Sequence, residues 1–270
     1  MPDGNYGGQE ATTAVWAAVS GVSIGEAWLR RNEPKSPEAV ARFHDAVVQL
    51  ERGVPFAYAV GSVGFRTLDL KIDSRALIPR PETEGLVDLV LRQGTGGIAV
   101  DIGTGSGCIA VALATEGRFD RVIAVERSPD AAALARENIA RVQPRTPVEI
   151  REGDLLAPLG GAGERCRVIV ANPPYLTEAE YQKVDPSVWQ FEPRAALVSG
   201  PDGLAATRAL LAGAAALLEP DGILALEIDE RRAEAVRALA LTEDFGWARI
   251  AIHDDLSGRP RYALAFPREA

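Results

Sequence analysis

The chain has 270 residues, of which 47% are hydrophobic and 25% charged, so it is long enough to bury a sizeable core and is neither disordered nor collagen-like. No apolar run approaches the roughly 20 residues of a membrane-spanning helix, and no secretory signal opens the sequence, so a soluble cytoplasmic protein is expected. Lysine and arginine number 29 against 38 aspartate and glutamate, a net charge of -9 without any basic segment, so neither nucleic acid nor a membrane is an expected partner.

Cysteine and histidine are too scarce to build the sites in which they usually act. Cys108 and Cys166 are too far apart for a CxxC metal motif and too few for a disulfide framework. His44 and His253 are the only histidines, so the sequence offers few side chains for a zinc centre or a Ser-His-Asp hydrolase site. We therefore expect a reducing compartment and no bound metal.

In the first third of the chain, the spacing between apolar residues changes from three and four to two. Apolar residues recur at spacings of three and four from Ala11 to about Arg52, which predicts a small helical domain over residues 1–55. The period becomes two over 56–73, as in a β-hairpin, and 82–92 follows with the pattern of a helix. Residues 56–93 are therefore interpreted as a hairpin and a linker helix.

The rest of the chain, residues 94–270, alternates short β-branched runs with helical stretches. The predicted strands cover 98–102, 122–126, 148–152, 168–172 and 222–228, and the intervening helices begin near Ser106, Pro129, Gly203 and Asp229. Continuous apolar strands separated by helices predict an α/β fold with a doubly wound, mostly parallel sheet. Residues 249–255 and 261–266 are expected to add an antiparallel pair at one edge.

A glycine-rich loop follows the first of these strands. Asp101 precedes Gly103, Gly105 and Gly107, and the third glycine of a dinucleotide fingerprint would fall at Cys108. The GxGxG spacing after an acidic residue is that of S-adenosylmethionine binders, in which the carboxylate can face the methionine ammonium. A tight turn without a ligand is the alternative, disfavoured because three alternating glycines cost backbone entropy without any gain in packing.

Two later strand ends offer further cofactor contacts. Glu126 ends the second strand, nineteen residues after Gly107, where a carboxylate can accept both ribose hydroxyls of an adenosine. Asp154 and Leu155 follow the third strand and can hold an adenine, although Gly-Asp is also ordinary turn chemistry.

The sharpest motif is the tetrapeptide Asn172-Pro173-Pro174-Tyr175 after the fourth strand. The prolines fix the backbone and remove two donors, so the Asn172 and Pro173 carbonyls become rigid acceptors. Two fixed acceptors suit a planar NH2 group, whose nitrogen they can aim at an electrophilic methyl, and Tyr175 can stack on such a group. A proline turn that merely ends a strand is the alternative.

These motifs together resemble the release-factor glutamine methyltransferases, the PrmC/HemK family. The resemblance runs from about Val54 to the C-terminus and includes the flanking segments LIPRPETE (77–84) and FEPRAAL (191–197). The NPPY motif alone is shared with ribosomal-protein glutamine methyltransferases and with DNA and RNA adenine amino-methyltransferases. The segment IPRPETE favours the release-factor branch.

The resemblance implies a class I S-adenosylmethionine-dependent methyltransferase fold with a seven-stranded sheet, behind a helical substrate-recognition domain. It implies methyl transfer to the side-chain amide of the glutamine in the GGQ loop of class-1 peptide chain release factors. The implied cofactor-binding residues are Asp101, Gly103, Thr104, Gly105, Ser106, Gly107, Glu126, Asp154, Leu155 and Asn172. Asn172, Pro173, Pro174 and Tyr175 would hold the glutamine, with Asn172, Pro173 and Tyr175 catalytic.

Two departures from the family pattern and one coincidence stand out. After Glu227 the family has a glycine and then a glutamine where this chain has Asp229 and Arg232, and the helical domain is shorter than usual. The tripeptide Gly7-Gly8-Gln9 matches the implied substrate sequence and is interpreted as chance.

The predicted protein is a monomeric enzyme that needs neither a metal nor a covalent intermediate. Its rivals are a ribosomal-protein glutamine methyltransferase, an adenine amino-methyltransferase and a non-catalytic protein that retains the fold.

Overall fold

The computed structural model describes residues 9–93, 96–160, 163–242 and 244–268, so Gly7 and Gly8 lie outside the described residues. The N-terminal part contains three helices: α1 (Gln9–Ser20), α2 (Ile24–Leu29) and α3 (Pro37–Glu51). Ser23 and Ser36 cap α2 and α3, each accepting a hydrogen bond from a backbone N–H of the first turn. Helices α1 and α3 bury a small core together with Ala59 of the following segment; its residues are Val15, Val19, Ala46, Leu50 and Ala59.

The next segment corrects the sequence prediction in part. The hairpin is present as strands β1 (Ser62–Phe65) and β2 (Leu68–Lys71), but Phe56–Val60 forms helix α4. The period-two interpretation was wrong there: Tyr58 and Ala59, neighbours in sequence, are both buried on the helix, Ala59 in the core of the N-terminal helices and Tyr58 in a cluster with Ile72 and Leu134. Gly61 ends α4 in the left-handed conformation, with a φ of 76° that favours glycine.

The strands in the remaining described part of the chain form one seven-stranded sheet. Its strands are β3 (Ile98–Ile102), β4 (Arg121–Glu126), β5 (Val148–Glu152), β6 (Cys166–Ala171), β7 (Leu218–Glu227), β8 (Trp247–Asp254) and β9 (Pro260–Pro267). Their spatial order is β5-β4-β3-β6-β7-β9-β8. Strands β3 to β7 are parallel, whereas β9 pairs antiparallel with both β7 and β8. The predicted mostly parallel α/β sheet is confirmed, including its antiparallel tail.

Helices cover both faces of this sheet. The principal helices are α5 (Pro81–Gln93), α6 (Cys108–Glu116), α7 (Pro129–Val142), α10 (Ala205–Ala214) and α11 (Ala233–Thr242). Successive residues of the central strands point to opposite faces, so Ala99 belongs to the core that includes residues of α5 and α6, whereas Val100 belongs to the core that includes residues of α10 and α11. The two resulting cores hold the strand ends rigidly in place.

The strand order reverses between β3 and β6. Strands β4 and β5 extend the sheet from β3, and β7, β9 and β8 extend it from β6. Ile102 at the end of β3 pairs with Ala171 at the end of β6. The glycine loop after Ile102 and Asn172 after Ala171 therefore lie side by side, at the point where open parallel sheets bind their ligands.

The chain between β6 and α10 was not assigned regular structure by its sequence pattern. It contains two short helices, α8 (Glu178–Tyr181) and α9 (Pro186–Phe191), and a 3-10 turn at Arg194–Ala196. A parallel bridge between Leu176 and Val198 closes the segment into a loop over the carboxyl ends of the strands. Within the described ranges, no helix is long and apolar enough to cross a membrane.

Candidate functional site

The glycine loop folds as its spacing predicts. Gly103, Gly105 and Gly107 all have positive φ values, of 70°, 56° and 83°. Gly107 also begins α6 and lies so close to α7 that a Cβ would be 3.3 Å from Ala135 Cβ. A Cβ on Gly103 would meet nothing within 4 Å, so this side of the loop is open to a ligand.

Asp101 holds the glycine loop in place through hydrogen bonds to the loop and to the first turn of α6. Its Oδ2 accepts hydrogen bonds from Thr104 Oγ1 (2.5 Å) and from the Ala110 backbone N–H (3.0 Å), and the residue is 1% exposed. Its Oδ1 is buried without a hydrogen-bond partner among the described residues. Burial raises the pKa of Asp101 to about 7.

Glu126 connects the loop to the end of β4. Its Oε2 accepts from the Gly105 N–H at 2.9 Å and its Oε1 from the Ser128 N–H at 2.9 Å. Each carboxylate oxygen keeps a second lone pair, so the carboxylate is fixed in orientation and can still accept from ligand hydroxyls.

A cavity of about 450 Å³ opens at this edge of the sheet. Among the sequence-predicted residues, it is lined by Gly103, Thr104, Gly105, Ser106, Glu126, Asp154, Leu155, Asn172, Pro173 and Pro174. Three of the predicted site residues, all within the described ranges, do not line this cavity: Asp101 and Gly107 line neither cavity, and Tyr175 lines a neighbouring one. The structure therefore brings together most of the residues that the motifs indicated.

The neighbouring cavity, of about 220 Å³, lies on the other side of Asn172. Its lining includes Tyr175 and aliphatic side chains from the loop over the strand ends, such as Val184 and Val188. Residues that line both cavities are Leu77, Arg80, Asn172 and Ala196. Burial raises the pKa of Tyr175 to about 12, so this phenol is neutral at ordinary pH.

Sequence reasoning missed the partners of Asn172. Its Nδ2 donates to Thr83 Oγ1 at 3.0 Å, and Thr83 Oγ1 in turn lies 2.7 Å from Glu227 Oε2. Thr83 and Glu227 are each 2% exposed. The available signal was indirect: Glu227 ends β7, the strand beside β6, so its side chain belongs to the same edge of the sheet.

A second missed pair joins the two flanking segments of the site. Glu192 accepts from Arg80 Nη2 (2.6 Å) and from the Ile78 backbone N–H (3.2 Å). The pair ties residues 77–84, which line the cavities on one side, to residues 191–197, which line them on the other. The shape of both cavities therefore depends on this contact.

The departures from the family pattern, Asp229 and Arg232, lie in a cluster of ion pairs after β7. Arg232 donates to Glu180 Oε2 (2.5 Å) and to the Asp202 carbonyl oxygen (2.9 Å), while Asp229 binds Arg231. Because Glu180 lies on α8, Arg232 fastens the loop over the strand ends to the end of β7.

Comparisons with known proteins relate the chain to methyltransferases. A family model described as the methyltransferase small domain matches residues 82–192. A release factor glutamine methyltransferase of Moorella thermoacetica is 40% identical over 243 residues, which cover 89% of this chain and 84% of that protein. A protein of the same name from Deinococcus radiodurans is 40% identical over 240 residues, which cover 88% of this chain and 83% of that protein.

Structural similarity agrees at the level of the fold. The crystal structure of a methyltransferase from Pyrococcus furiosus matches with a TM-score of 0.56 at 19% identity, over 86% of this chain and 98% of that chain. The seven-stranded sheet is thus the class I methyltransferase fold. With identities near 40% that extend over most of both sequences, the chain belongs to the release factor glutamine methyltransferase family.

Proposed function

We propose that this chain transfers a methyl group from S-adenosylmethionine to the side-chain amide nitrogen of the glutamine in the GGQ loop of class-1 peptide chain release factors. The observation that carries the proposal is that Asn172 lines two adjoining cavities, one beside the glycine loop and one beside Tyr175. Methyl transfer requires a donor and an acceptor that meet at one point, and Asn172 lies at the boundary of both spaces.

The larger cavity suits the cofactor. Its volume of about 450 Å³ lies within the range of cofactor sites, and it combines an open glycine loop at a helix N-terminus with the fixed carboxylate of Glu126. S-adenosylmethionine, when bound, supplies an electrophilic methyl group on a sulfonium centre. We assign contacts with it to Gly103, Thr104, Gly105, Ser106, Glu126, Asp154, Leu155 and Asn172, and we assign Asp101 and Gly107 to holding the loop in shape.

The smaller cavity suits a glutamine side chain. Its aliphatic lining fits the methylene groups, and Tyr175 offers a flat face for the amide. The side-chain carbonyl of Asn172 and the main-chain carbonyl of Pro173 accept the two amide hydrogens. Because an amide nitrogen is a poor nucleophile, catalysis here consists of aiming it and stabilising its growing positive charge. The proton is lost to water after transfer, since a methylated amidium is a strong acid.

We infer that residues 1–55 recognise the body of the release factor rather than its glutamine. These residues form helices with a core separate from those of the sheet, and they contribute nothing to the lining of either cavity within the described ranges. The protein is expected to act as a monomer without a metal, so a chelator should leave the rate unchanged.

The direct test is to incubate the protein with labelled S-adenosylmethionine and four candidate acceptors in turn: a class-1 release factor, the same factor with its GGQ glutamine replaced by alanine, a ribosomal-protein mixture, and duplex DNA. Label should appear in the first and in none of the others. Label in ribosomal protein or in DNA would instead support the corresponding rival substrate class.

Asn172→Ala provides the matching test of the site. Loss of a preorganised acceptor should reduce turnover by a factor of roughly a hundred or more, with a smaller effect on cofactor affinity. Gln93→Ala, at an exposed amide position at the end of α5 and outside the lining of both cavities, is the control and should retain full turnover. Near-normal turnover of the Asn172 variant would refute its assigned role.

A further inference from the structure

We propose that Thr83 and Glu227 are positioning residues for methyl transfer: through a chain of two hydrogen bonds they fix the Asn172 amide with its Oδ1 directed at the substrate. The inference rests on the proposed function and adds two residues to it: Glu227, which lines neither cavity, and Thr83, which lines the larger cavity but is not among the assigned cofactor contacts. Asn172 Nδ2 lies 3.0 Å from Thr83 Oγ1. Thr83 Oγ1 lies 2.7 Å from Glu227 Oε2.

The direction of each hydrogen bond follows from counting hydrogens. Above about pH 7, where Glu227 is ionised, its carboxylate can only accept, so Thr83 must donate its single hydroxyl hydrogen to Glu227. The hydroxyl then has only lone pairs to offer Asn172, and only the Nδ2 end of the amide can donate to them. A flipped amide would place Oδ1 against an oxygen with no hydrogen left to give. The hydrogen bonds of Thr83 and Glu227 therefore determine the orientation of the Asn172 amide.

Burial of Thr83 and Glu227 strengthens the preference for this orientation of the Asn172 amide. Thr83 and Glu227 are each 2% exposed, so water cannot easily replace a lost hydrogen bond. A flip would place Asn172 Oδ1 against the lone pairs of Thr83 Oγ1 with no hydrogen between the two oxygens, which is more costly beside buried groups than at the surface. The amide is thus restricted even though its own position, at the wall of two cavities, would otherwise leave it free to rotate.

The three residues come from three rigid elements. Thr83 lies in the first turn of α5, Asn172 directly follows β6, and Glu227 ends β7, the neighbour of β6 in the sheet. The first turn of α5 is itself fastened to β9, because the hydroxyl of Tyr262 donates to the Glu82 carbonyl oxygen at 2.7 Å. The hydroxyl of Thr83 is therefore held at a fixed distance from both of its partners.

The consequence for catalysis is specific. With the amide fixed, its carbonyl oxygen already faces the reacting nitrogen, and no energy is spent on orienting it as positive charge develops. With Thr83 unable to hydrogen-bond, the amide samples both orientations, and the flipped form presents N–H groups to the substrate amide. Turnover should fall, whereas the cofactor cavity and the docking of the release factor keep their contacts.

The main variant is Thr83→Val, which preserves shape and removes both hydrogen bonds, and the matched control is Thr83→Ser, which keeps the hydroxyl. At about pH 8.5, where Glu227 is ionised, kcat for the release factor should fall at least tenfold in Thr83→Val and less than threefold in Thr83→Ser. KM for the release factor and calorimetric Kd for S-adenosylmethionine should change less than threefold in both. Equal kcat for Thr83→Val and wild type would refute the positioning role.

A double-mutant cycle separates positioning from general support of the fold. If Thr83 acts through Asn172, Thr83→Val should cost at least tenfold alone and almost nothing in the Asn172→Ala background. Independent losses that multiply in the double variant would contradict the proposal. If Thr83→Val is poorly folded by circular dichroism, Thr83→Ala is used in the same cycle with the same criteria.

A spectroscopic measurement tests the inference without any turnover. In 15N-labelled protein, the side-chain NH2 resonances of Asn172, assigned by their loss in Asn172→Ala, should shift in Thr83→Val and remain in place in Thr83→Ser. Unchanged resonances in Thr83→Val would refute the hydrogen bond. Failure of the wild type to methylate a release factor would overturn the proposed function alone, since this measurement needs no substrate.

Discussion

Arg80 and Glu192 form an ion pair across the site, with Arg80 Nη2 2.6 Å from Glu192 Oε1. The Glu192 side chain is 1% exposed and the Arg80 side chain 33% exposed, so the carboxylate depends on this arginine for much of its neutralisation. The pair joins two segments separated by more than a hundred residues and thereby sets the distance between the walls of both cavities.

Arg80→Met should destabilise the protein by about 3 kcal/mol, because it leaves a buried carboxylate without its cation. Urea denaturation of the variant and of the wild type measures the difference. The control is Arg208→Met, which breaks the ion pair with Asp202 between side chains 45% and 46% exposed and should cost less than about 1 kcal/mol. Similar small losses in both variants would show that the buried pair adds no more than the surface pair.

Gly105→Val should abolish binding of S-adenosylmethionine. The residue has a φ of 56°, which a β-branched side chain tolerates poorly, and its N–H is the group that fixes Glu126. Isothermal titration calorimetry measures the binding, and circular dichroism verifies that the sheet is formed. Gly21→Val is the matched control, since Gly21 has a similar φ of 67° in the helical segment, away from both cavities. Loss of binding in the control as well would point to general instability.

The buried carboxylate of Glu227 should make stability decrease as pH rises. Burial raises its pKa to about 7; the hydrogen bond from Thr83, the charge of Arg261 and a contact with the Asn172 amide oppose this rise, and the charge of Glu82 assists it. Between the ordinary pKa of glutamate and about 7, the unfolded chain releases a proton that the folded protein retains, so the free energy of unfolding falls as pH increases. Above about pH 7 both states are ionised and the loss is complete. This residue alone should cost about 2 kcal/mol between about pH 5 and about pH 7.5.

Urea denaturation at those two pH values, for the wild type and for Glu227→Gln, measures this contribution. The variant should lose less stability than the wild type, and the remaining loss is expected from Asp101, whose pKa is also raised to about 7. Tyr175, Tyr262 and Cys108, which lie near Glu227, do not titrate in this range, since burial raises the pKa of each to about 12. Equal losses in the variant and the wild type would show that Glu227 has no raised pKa.

Trp28 and Leu29 on α2 test the assignment of the helical segment to docking. They are 52% and 71% exposed, and such neighbouring large apolar side chains are characteristic of interaction surfaces. If they contact the release factor, Trp28→Ala should raise KM for the whole factor about tenfold, the effect of losing an interface tryptophan. The rate on a short Gly-Gly-Gln peptide should not change, because the peptide does not reach α2.

Val48→Ala, a change at another exposed apolar position of the helical segment, serves as the control and should leave both rates unchanged. Equal losses for the whole factor and the peptide in Trp28→Ala would mean that the helical segment supports the active site rather than docking.

The fold class and the backbone chemistry of the loops can be predicted from the sequence alone. The glycine spacing from Gly103 to Gly107 and the tetrapeptide beginning at Asn172 are local patterns, and local patterns constrain the backbone directly through φ values and missing N–H groups. The alternation of apolar strands and helices likewise predicts a parallel sheet, because each crossover must return over the sheet. The prediction was wrong at Phe56–Val60, where apolar residues in a short run were consistent with either element.

The contacts that hold the site together depend on long-range packing and could not be predicted from the sequence. Thr83 and Asn172 are 89 residues apart in sequence, and Thr83 and Glu227 are 144 apart, so neither hydrogen bond leaves any periodic signal. The same holds for Arg80 and Glu192, at a separation of 112 residues. The pairing of Ile102 with Ala171 brings the two predicted motifs together, but the orientation of the Asn172 amide depends on which distant hydroxyl is buried beside it. Such contacts arise from packing of whole elements, and the sequence specifies them only through the complete fold.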